Sequence, residues 1–374
     1  MIRVAGRSAT ARHYVLEYLH EEGRDPRLAE LRHGRWTFEC IGDQWSVVDR
    51  SELMAGDARV PEFLAEGLER DFACARAPVG DDPAQQRAAD ADAVRAVWAA
   101  YGLSADAGNA DLVGSLYTEN AIVEIGGDRI YRGRKPMMDM INGTFHRSLL
   151  PWAGHTMGPG LVATEGDRAV SLHIARTYGP PPRSVADLST WNRHPFRFSV
   201  NRWVLRRTDE SWQISRRISH PVPGSQWRTA LSDGLMSWRA APRIEARGGE
   251  DRGYLERRQA LDIVTAAGFR LSAGDGANRW PFTDDAFLDV EGCRVDAHAS
   301  ALGEALHLAD PCIGFVPSAG SVRVEGNSAT VEDVVLTYVD DGSGRIGVAG
   351  IHSCRWDLVR DGESWMVAGA TLRR

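Results

Sequence analysis

Arg202-Trp203-Val-Leu-Arg-Arg-Thr-Asp-Glu-Ser-Trp212 is used again near the C-terminus as Arg355-Trp356-Asp-Leu-Val-Arg-Asp-Gly-Glu-Ser-Trp365. A looser copy, Arg35-Trp36-Thr-Phe-Glu-Cys-Ile-Gly-Asp-Gln-Trp45, stands near the N-terminus. In all three the tryptophans are nine residues apart, with a polar turn just before the second. Apolar and aromatic runs broken by Asp, Gly and Ser turn chemistry read as a β-hairpin. Paired tryptophans suit such a hairpin because large rings bury much area on a pleated face. Recurrence at long period indicates that a whole domain was copied.

Working outward, the order of elements also recurs. A long amphipathic helix is expected from Asp90, with Val94, Val97, Trp98 and Tyr101 on one stripe. Asp106-Ala-Gly-Asn109, a short helix over 111–117, a strand Ile122–Ile125 and a strand edge Arg129–Arg134 follow, then a helix over Pro136–Ile141. Strands are expected over Leu161–Thr164, Ala169–Thr177 and Phe196–Arg206, with a proline-rich loop over 179–195. After a polar hinge at 240–251 comes a helix Tyr254–Ala267. Pro281-Phe-Thr-Asp-Asp-Ala286 then matches Leu116-Tyr-Thr-Glu-Asn-Ala121, and Gly326-Asn-Ser-Ala329 matches Gly166-Asp-Arg-Ala169. The expected fold class is α+β: two tandem cone-shaped units, each with helices packed in a curved antiparallel sheet, preceded by an N-terminal extension. The domains read as 1–84, 85–235 and 250–374. In the extension, Tyr14, Leu16 and Leu19 suggest a helix before the hairpin, a second helix covers 60–75, and 78–86 reads as a linker. The extension is either an appendage or a truncated copy of the repeat.

With 374 residues the chain exceeds one ordinary core. Net charge −7 and the lack of a clustered basic stripe speak against nucleic acid as a partner. Lys135 is the only lysine, an arginine bias that reads as genome composition. Five cysteines without a Cys-x-x-Cys pair suit a reducing compartment. No apolar run has the length of a signal core or membrane span, so a soluble, cytoplasmic protein is expected.

Residues 90–220 resemble the nuclear transport factor 2-like superfamily, in its SnoaL-like polyketide-cyclase and scytalone-dehydratase-like branch. The resemblance is carried by Tyr101…Asp106-Ala-Gly-Asn109-Ala-Asp111, Leu116-Tyr-Thr-Glu-Asn-Ala-Ile122, Tyr131-Arg-Gly133, Gly154-His155-Thr156, Gly166-Asp-Arg-Ala169 and the hairpin ending Trp212-Gln-Ile-Ser-Arg-Arg217. Residues 250–374 look like a diverged second copy. The resemblance implies a cone with an apolar pocket, and a dimer surface that tandem copies would satisfy within one chain or between two. It also implies a His–Asp dyad, here Asp106 and His155. In such a dyad a buried carboxylate fixes the imidazole tautomer and supports the imidazolium that forms when the ring takes a proton. Small polar residues in this branch hold substrate oxygen, which points to Ser199 and Asn201, alternate residues on one face of a strand. His173 is a candidate second imidazole, and Tyr117 and Tyr131 are candidate hydrogen-bond donors to a carbonyl. Ala105 stands where the scytalone-dehydratase pattern has tyrosine.

Each of these has a bland alternative. Asp106 before Ala-Gly-Asn reads equally as a helix terminator, His155 as a loop histidine, and the tyrosines as core. In the second copy Phe315 falls where His155 was, Asp275 matches Asp106 only after a shift of about two positions, and His352 falls at the place of Ser199, a candidate second site. Neither His146/His155 nor His298/His307 has ligand-like spacing, and there is no Gly-x-Gly-x-x-Gly, Walker loop or serine elbow, so neither metal nor nucleotide cofactor is expected. The expected function is a cofactor-free lyase, cyclase or isomerase acting on a small apolar oxygenated substrate. The alternatives are an epoxide hydrolase using Asp106 with Arg202 or Arg129, and a non-catalytic ligand-binding or scaffold protein.

Overall fold

The structure, a computed structural model, describes residues 1–19, 26–73, 83–179, 195, 197–208, 211–224, 226–240, 252–274, 280–297, 314–318, 320–340 and 346–374. Four N-terminal strands, β1 (Ile2–Ala5), β2 (Ser8–Leu19), β3 (Arg27–Ile41) and β4 (Gln44–Met54), form an antiparallel meander. The helix expected over Tyr14–Leu19 is therefore strand β2. Tyr14, Leu16 and Tyr18, at a period of two, share one face of it and pack on Leu28 and Leu31 of β3. Helix 60–75 is broken into α1 (Val60–Ala65) and α2 (Leu68–Ala73) at Gly67, whose φ of 70° no helix accommodates. Of the expected linker, 78–82 lie outside the described residues and Pro83–Gln86 begin the next helix, where a missing proline N–H costs nothing.

The first cone contains α3 (Pro83–Asp106), α4 (Ala110–Ser115), β5 (Tyr117–Ile125), β6 (Arg129–Arg132), α5 (Lys135–Asn142), α6 (Thr144–Leu149), β7 (Gly154–Glu165), β8 (Arg168–Tyr178), β9 (Arg197–Thr208) and β10 (Ser211–Val222). Its sheet runs β6-β5-β10-β9-β8-β7. One neighbour pair, β5 with β10, is parallel, so the sheet is not wholly antiparallel. Val94, Val97, Trp98 and Tyr101 of α3 are buried against Trp203, Leu205, Trp212 and Ile214. Helix α7 (Trp227–Arg239) leads to a second unit of α8 (Arg252–Ala273), β11 (Phe282–Val290), β12 (Cys293–Asp296), β13 (Gly314–Pro317), β14 (Ser321–Glu325), β15 (Ser328–Asp340), β16 (Ile346–Asp361) and β17 (Ser364–Arg373). Its sheet order, β12-β11-β17-β16-β15-β13 with β14 also on β15, repeats the first. Leu231 and Leu235 of α7 pack into the second unit's core, so this helix joins the two. The hinge 241–251, most of the loop 179–195, Asp275, His298 and His307 lie outside the described residues.

The hydrogen-bond register shows how deep the repetition goes. In β9–β10, Val204 faces Arg216 and Leu205 faces Ile214, which leaves Ser215 unpaired. In β16–β17, Asp357 faces Gly369 and Leu358 faces Val367, skipping Ala368. In β3–β4, Thr37 faces Asp49 and Phe38 faces Val47, skipping Val48. All three hairpins thus carry a bulge at the same offset from their first tryptophan. The preceding strands β2, β8 and β15 each follow a two-residue turn whose glycine has φ near +60°: Gly6, Gly166 and Gly326. The eleventh residue of each is a tyrosine, and Tyr18, Tyr178 and Tyr338 come together. The Tyr18 and Tyr178 hydroxyls are 3.2 Å apart, and Tyr178 is bonded to Tyr338. The N-terminal meander thus has the strand order, turn and bulge of the last four strands of a cone, and three such modules meet at this tyrosine cluster. Its Trp45 is 47% exposed, whereas Trp212 and Trp365 are buried.

Candidate active site

Helix α3 ends at Asp106 for reasons that leave its carboxylate unused. Gly108 (φ 66°) turns the chain and bonds the Ala105 carbonyl, while the Asn109 N–H bonds that of Ser104. Asn109 then caps α4, its Oδ1 accepting from the Leu112 N–H at 2.9 Å. Termination and capping thus belong to Gly108 and Asn109. Asp106, fully buried, turns to strand β7.

There it holds His155 twice. One oxygen accepts from the His155 backbone N–H at 2.8 Å, and the other lies 2.5 Å from His155 Nδ1. With Nδ1–H donating to the carboxylate, Nε2 is the bare nitrogen, and it has no partner among the described residues. Strand and helix come this close because residue 102 is glycine: a Cβ there would collide with the His155 carbonyl oxygen. A third bond comes from another module. Tyr14 of β2 donates its hydroxyl to Asp106 Oδ2 at 2.6 Å. Burial, reinforced by the Asp106 charge, raises this phenol well above its ordinary pKa, so it remains a donor. His33, fully buried, packs edge-on against Tyr14 at 5.3 Å between ring centres. His146 stands 5.8 Å from His155 and bonds the Ala105 carbonyl at 2.7 Å. Burial first, and His155 second, lower its pKa, so it is neutral.

The same face of the sheet carries the other polar residues. By register His155 pairs with Thr177, and Ala175 and His173 of β8 pair with Ser199 and Asn201 of β9. His173 is buried between Trp98 (4.6 Å, stacked) and Trp203 (4.7 Å, edge-on), and neither ring nitrogen has a partner among the described residues. Burial, then the nearby Arg217 cation, drives its pKa well down, so this imidazole is neutral. Asn201 donates to Ser199 Oγ at 3.1 Å, leaving its own Oδ1 unmatched. Arg217 donates to Tyr117 at 3.0 Å and lies over the Tyr101 and Trp203 rings.

Residues 86–218 match the model of the SnoaL-like domain. These residues form a SnoaL-like domain. An NTF2-like protein with a cystatin-like fold from Novosphingobium aromaticivorans is 30% identical, over 37% of this chain and 87% of its own, with a TM-score of 0.34. LinA is 15% identical over 36% of this chain and 89% of its own (TM-score 0.29). A cystatin-like-fold protein from Nostoc punctiforme is 12% identical over 35% and 90% (TM-score 0.29). No curated protein matches the chain.

Within the SnoaL-like domain, then, Asp106, His155, His173, Ser199 and Asn201 lie on one wall of the cone. Tyr117 belongs to its packed floor. Tyr131 sits on edge strand β6, half-buried, opposite Val123. The Asp–Arg pairing considered for epoxide hydrolysis is not assembled among the described residues. Arg129 contacts Asp128, and Arg202 alternates with Asn201 and Trp203 and so faces away from α3. No group of three or more His, Cys, Asp or Glu among the described residues is placed to hold a metal. No helix among them is long and apolar enough to cross a membrane.

The second unit preserves the frame without the chemistry. Phe315 pairs with Thr337 as His155 does with Thr177, and its N–H bonds Ser272 Oγ at 2.8 Å. Ser272, not Asp275, therefore stands where Asp106 does. His352 pairs with Val335 as Ser199 does with Ala175, and lies 3.5 Å from Thr337 Oγ1. Burial lowers its pKa to about 4. Sequence reading missed Tyr14, His33, Arg217 and Ser272. For Tyr14 the signal was present: Gly6-Arg-Ser-Ala9 precedes Trp36 by the same thirty residues that separate Gly326-Asn-Ser-Ala329 from Trp356.

Proposed function

We propose that the SnoaL-like domain is an acid–base active site that eliminates water from, cyclises or isomerises a small, apolar, oxygenated substrate. One observation carries the reading: His155 is held through Nδ1 and its backbone by a buried carboxylate, with Nε2 left bare. That is the arrangement a single imidazole needs to act as base and then acid. In a dehydration, Nε2 takes the proton of a C–H next to a carbonyl, and Asp106 supports the resulting imidazolium. The electron pair passes through the enolate to expel the β-hydroxyl, which receives the same proton and leaves as water. His155 is neutral again. Ser199, Asn201 and neutral His173 supply hydrogen bonds to the substrate oxygen on which negative charge develops, so the unpartnered ring N–H of His173 gains an acceptor.

The tryptophans bracketing His173 favour a second reading, in which the cone is a filled core and the protein binds ligands without converting them. The two are separated by incubating wild type, His155→Ala and Asp106→Asn with a panel of β-hydroxy ketones and cyclic hydroxyketones, followed by mass spectrometry. Loss of one water, or an isobaric rearrangement, by wild type alone supports the catalytic reading. Identical outcomes for all three proteins remove His155 from catalysis.

A further inference from the structure

A cavity of about 860 Å³ lies where the three modules meet, on the far side of Trp98 and the Met157–Gly160 segment from His173. This is within the range of roughly 300–1,000 Å³ usual for small-molecule sites. The ninth residues of the three equivalent strands, Leu16, Arg176 and Leu336, all line it. Two of the three copies thus carry leucine at this place, so the fold does not require a cation there. Arg176 donates to the Tyr338 hydroxyl at 3.1 Å and to the Gly158 carbonyl at 3.3 Å, both neutral. No carboxylate among the described residues lies within ion-pair distance of it, and its Nε has no partner. The cavity's other charges do not correct this. Asp262 is already shared by Arg258 (3.6 Å) and Arg95 (3.0 Å), the latter also paired with Asp92 (3.2 Å), so Asp262 is committed elsewhere and not to Arg176. The rest of the wall is largely apolar, including Val334 and Ile351.

A half-buried cation without a counter-charge, at the end of an apolar chamber, is costly unless something anionic completes it. We propose that this junction cavity binds an apolar monocarboxylate. Its head group pairs with Arg176 beside the tyrosine cluster, and its tail lies along Leu16, Leu336 and Ile351. Bidentate pairing of a guanidinium with a carboxylate supplies both strength and orientation. The site is separate from the His155–Asp106 dyad, and it uses all three modules.

Isothermal titration calorimetry of the full chain with octanoate and with naphthoate, with octanol as the neutral control, tests this. One carboxylate should bind per chain, with octanol at least tenfold weaker. Arg176→Leu, the residue the other two copies already have, should weaken carboxylate binding by roughly tenfold to a hundredfold. Arg176→Lys should retain part of it. Leu336→Trp should weaken binding by crowding the wall along which the tail lies while leaving the charge in place. Asp106→Asn should bind as wild type does. The proposal is overturned if neither carboxylate binds or if Arg176→Leu binds both unchanged. Loss of binding in Asp106→Asn would overturn it too, since the ligand would then sit in the cone.

Discussion

Replacing Asp106 by asparagine removes one charge and almost no volume, which makes it the cleanest probe of the dyad. The carboxylate accepts from Tyr14, from the His155 N–H and from His155 Nδ1. A carboxylate about 4 Å from the centre of an imidazolium contributes about 4 kcal/mol at an effective dielectric near 20. If that support is used when His155 takes up a proton, its loss corresponds to a rate decrease of roughly a thousandfold. The change also disturbs the tautomer, because an amide turned to donate from Nδ2 toward His155 Nδ1 favours a bare Nδ1. Two measurements follow. Turnover of whichever substrate the panel identifies should fall by about two to four orders of magnitude. Nitrogen-15 NMR of the His155 ring should show Nδ1–H with bare Nε2 in wild type, and a mixed or reversed tautomer in the variant. Turnover within tenfold of wild type together with an unchanged tautomer would refute the reasoning.

Tyr14→Phe deletes a single hydrogen bond to a charged group, which is worth about 1.5–3 kcal/mol. Thermal denaturation should show that loss in Tyr14→Phe and a smaller one when the change is added to Asp106→Asn, whose amide oxygen still accepts but carries no charge, and additive effects would mean that the two residues are not coupled. For Asp333 the cause is burial, which raises its pKa to about 7, above the unfolded value near 4. The folded state then keeps a proton that the unfolded state releases, so this residue lowers stability progressively as pH rises from about 4 to 7. Asp333→Asn keeps an acceptor for the Trp356 indole N–H, 3.2 Å away in wild type. It should leave the melting temperature nearly unchanged at pH 4 and raise it at pH 8, by up to roughly 4 kcal/mol of stability. A difference independent of pH would show that Asp333 is ionised in the folded state.

What was legible in the sequence depended on repetition. The Trp203–Trp212 hairpin and its two relatives gave away strands, turns and the α+β class because tryptophan spacing and turn residues are local features. Asp106 and His155 were readable through family resemblance, and the identity of the helix terminator was not. Whether Gly108 or Asp106 ends α3 depends on a φ of 66°, which residue type permits without dictating. Over 14–19, three apolar residues in six fit a helix or a strand, and only pairing with β3 selects the strand. Tyr14 and Arg176 were out of reach for another reason. Their roles arise from contacts between modules, across 92 and 162 residues of chain, which no local pattern encodes.

Comparison of equivalent positions explains why this chain has two cones and one dyad. In the first cone the helix-end acid, the strand histidine and the neighbouring module's seventh strand residue are Asp106, His155 and Tyr14. In the second they are Ser272, Phe315 and Ile174, and Phe315 and Ile174 share one apolar cluster. All three positions differ together, and they differ coherently. A carboxylate buried beside phenylalanine and isoleucine would lack the partners that make its burial tolerable. Serine there keeps the one contact the frame needs, the bond from the residue 315 N–H. Each cone's site is therefore completed by the module before it in the chain. The N-terminal meander offers β2 to the first cone. It is the neighbour that supplies Tyr14 to Asp106, whereas in the second cone Ser272 stands at the equivalent place.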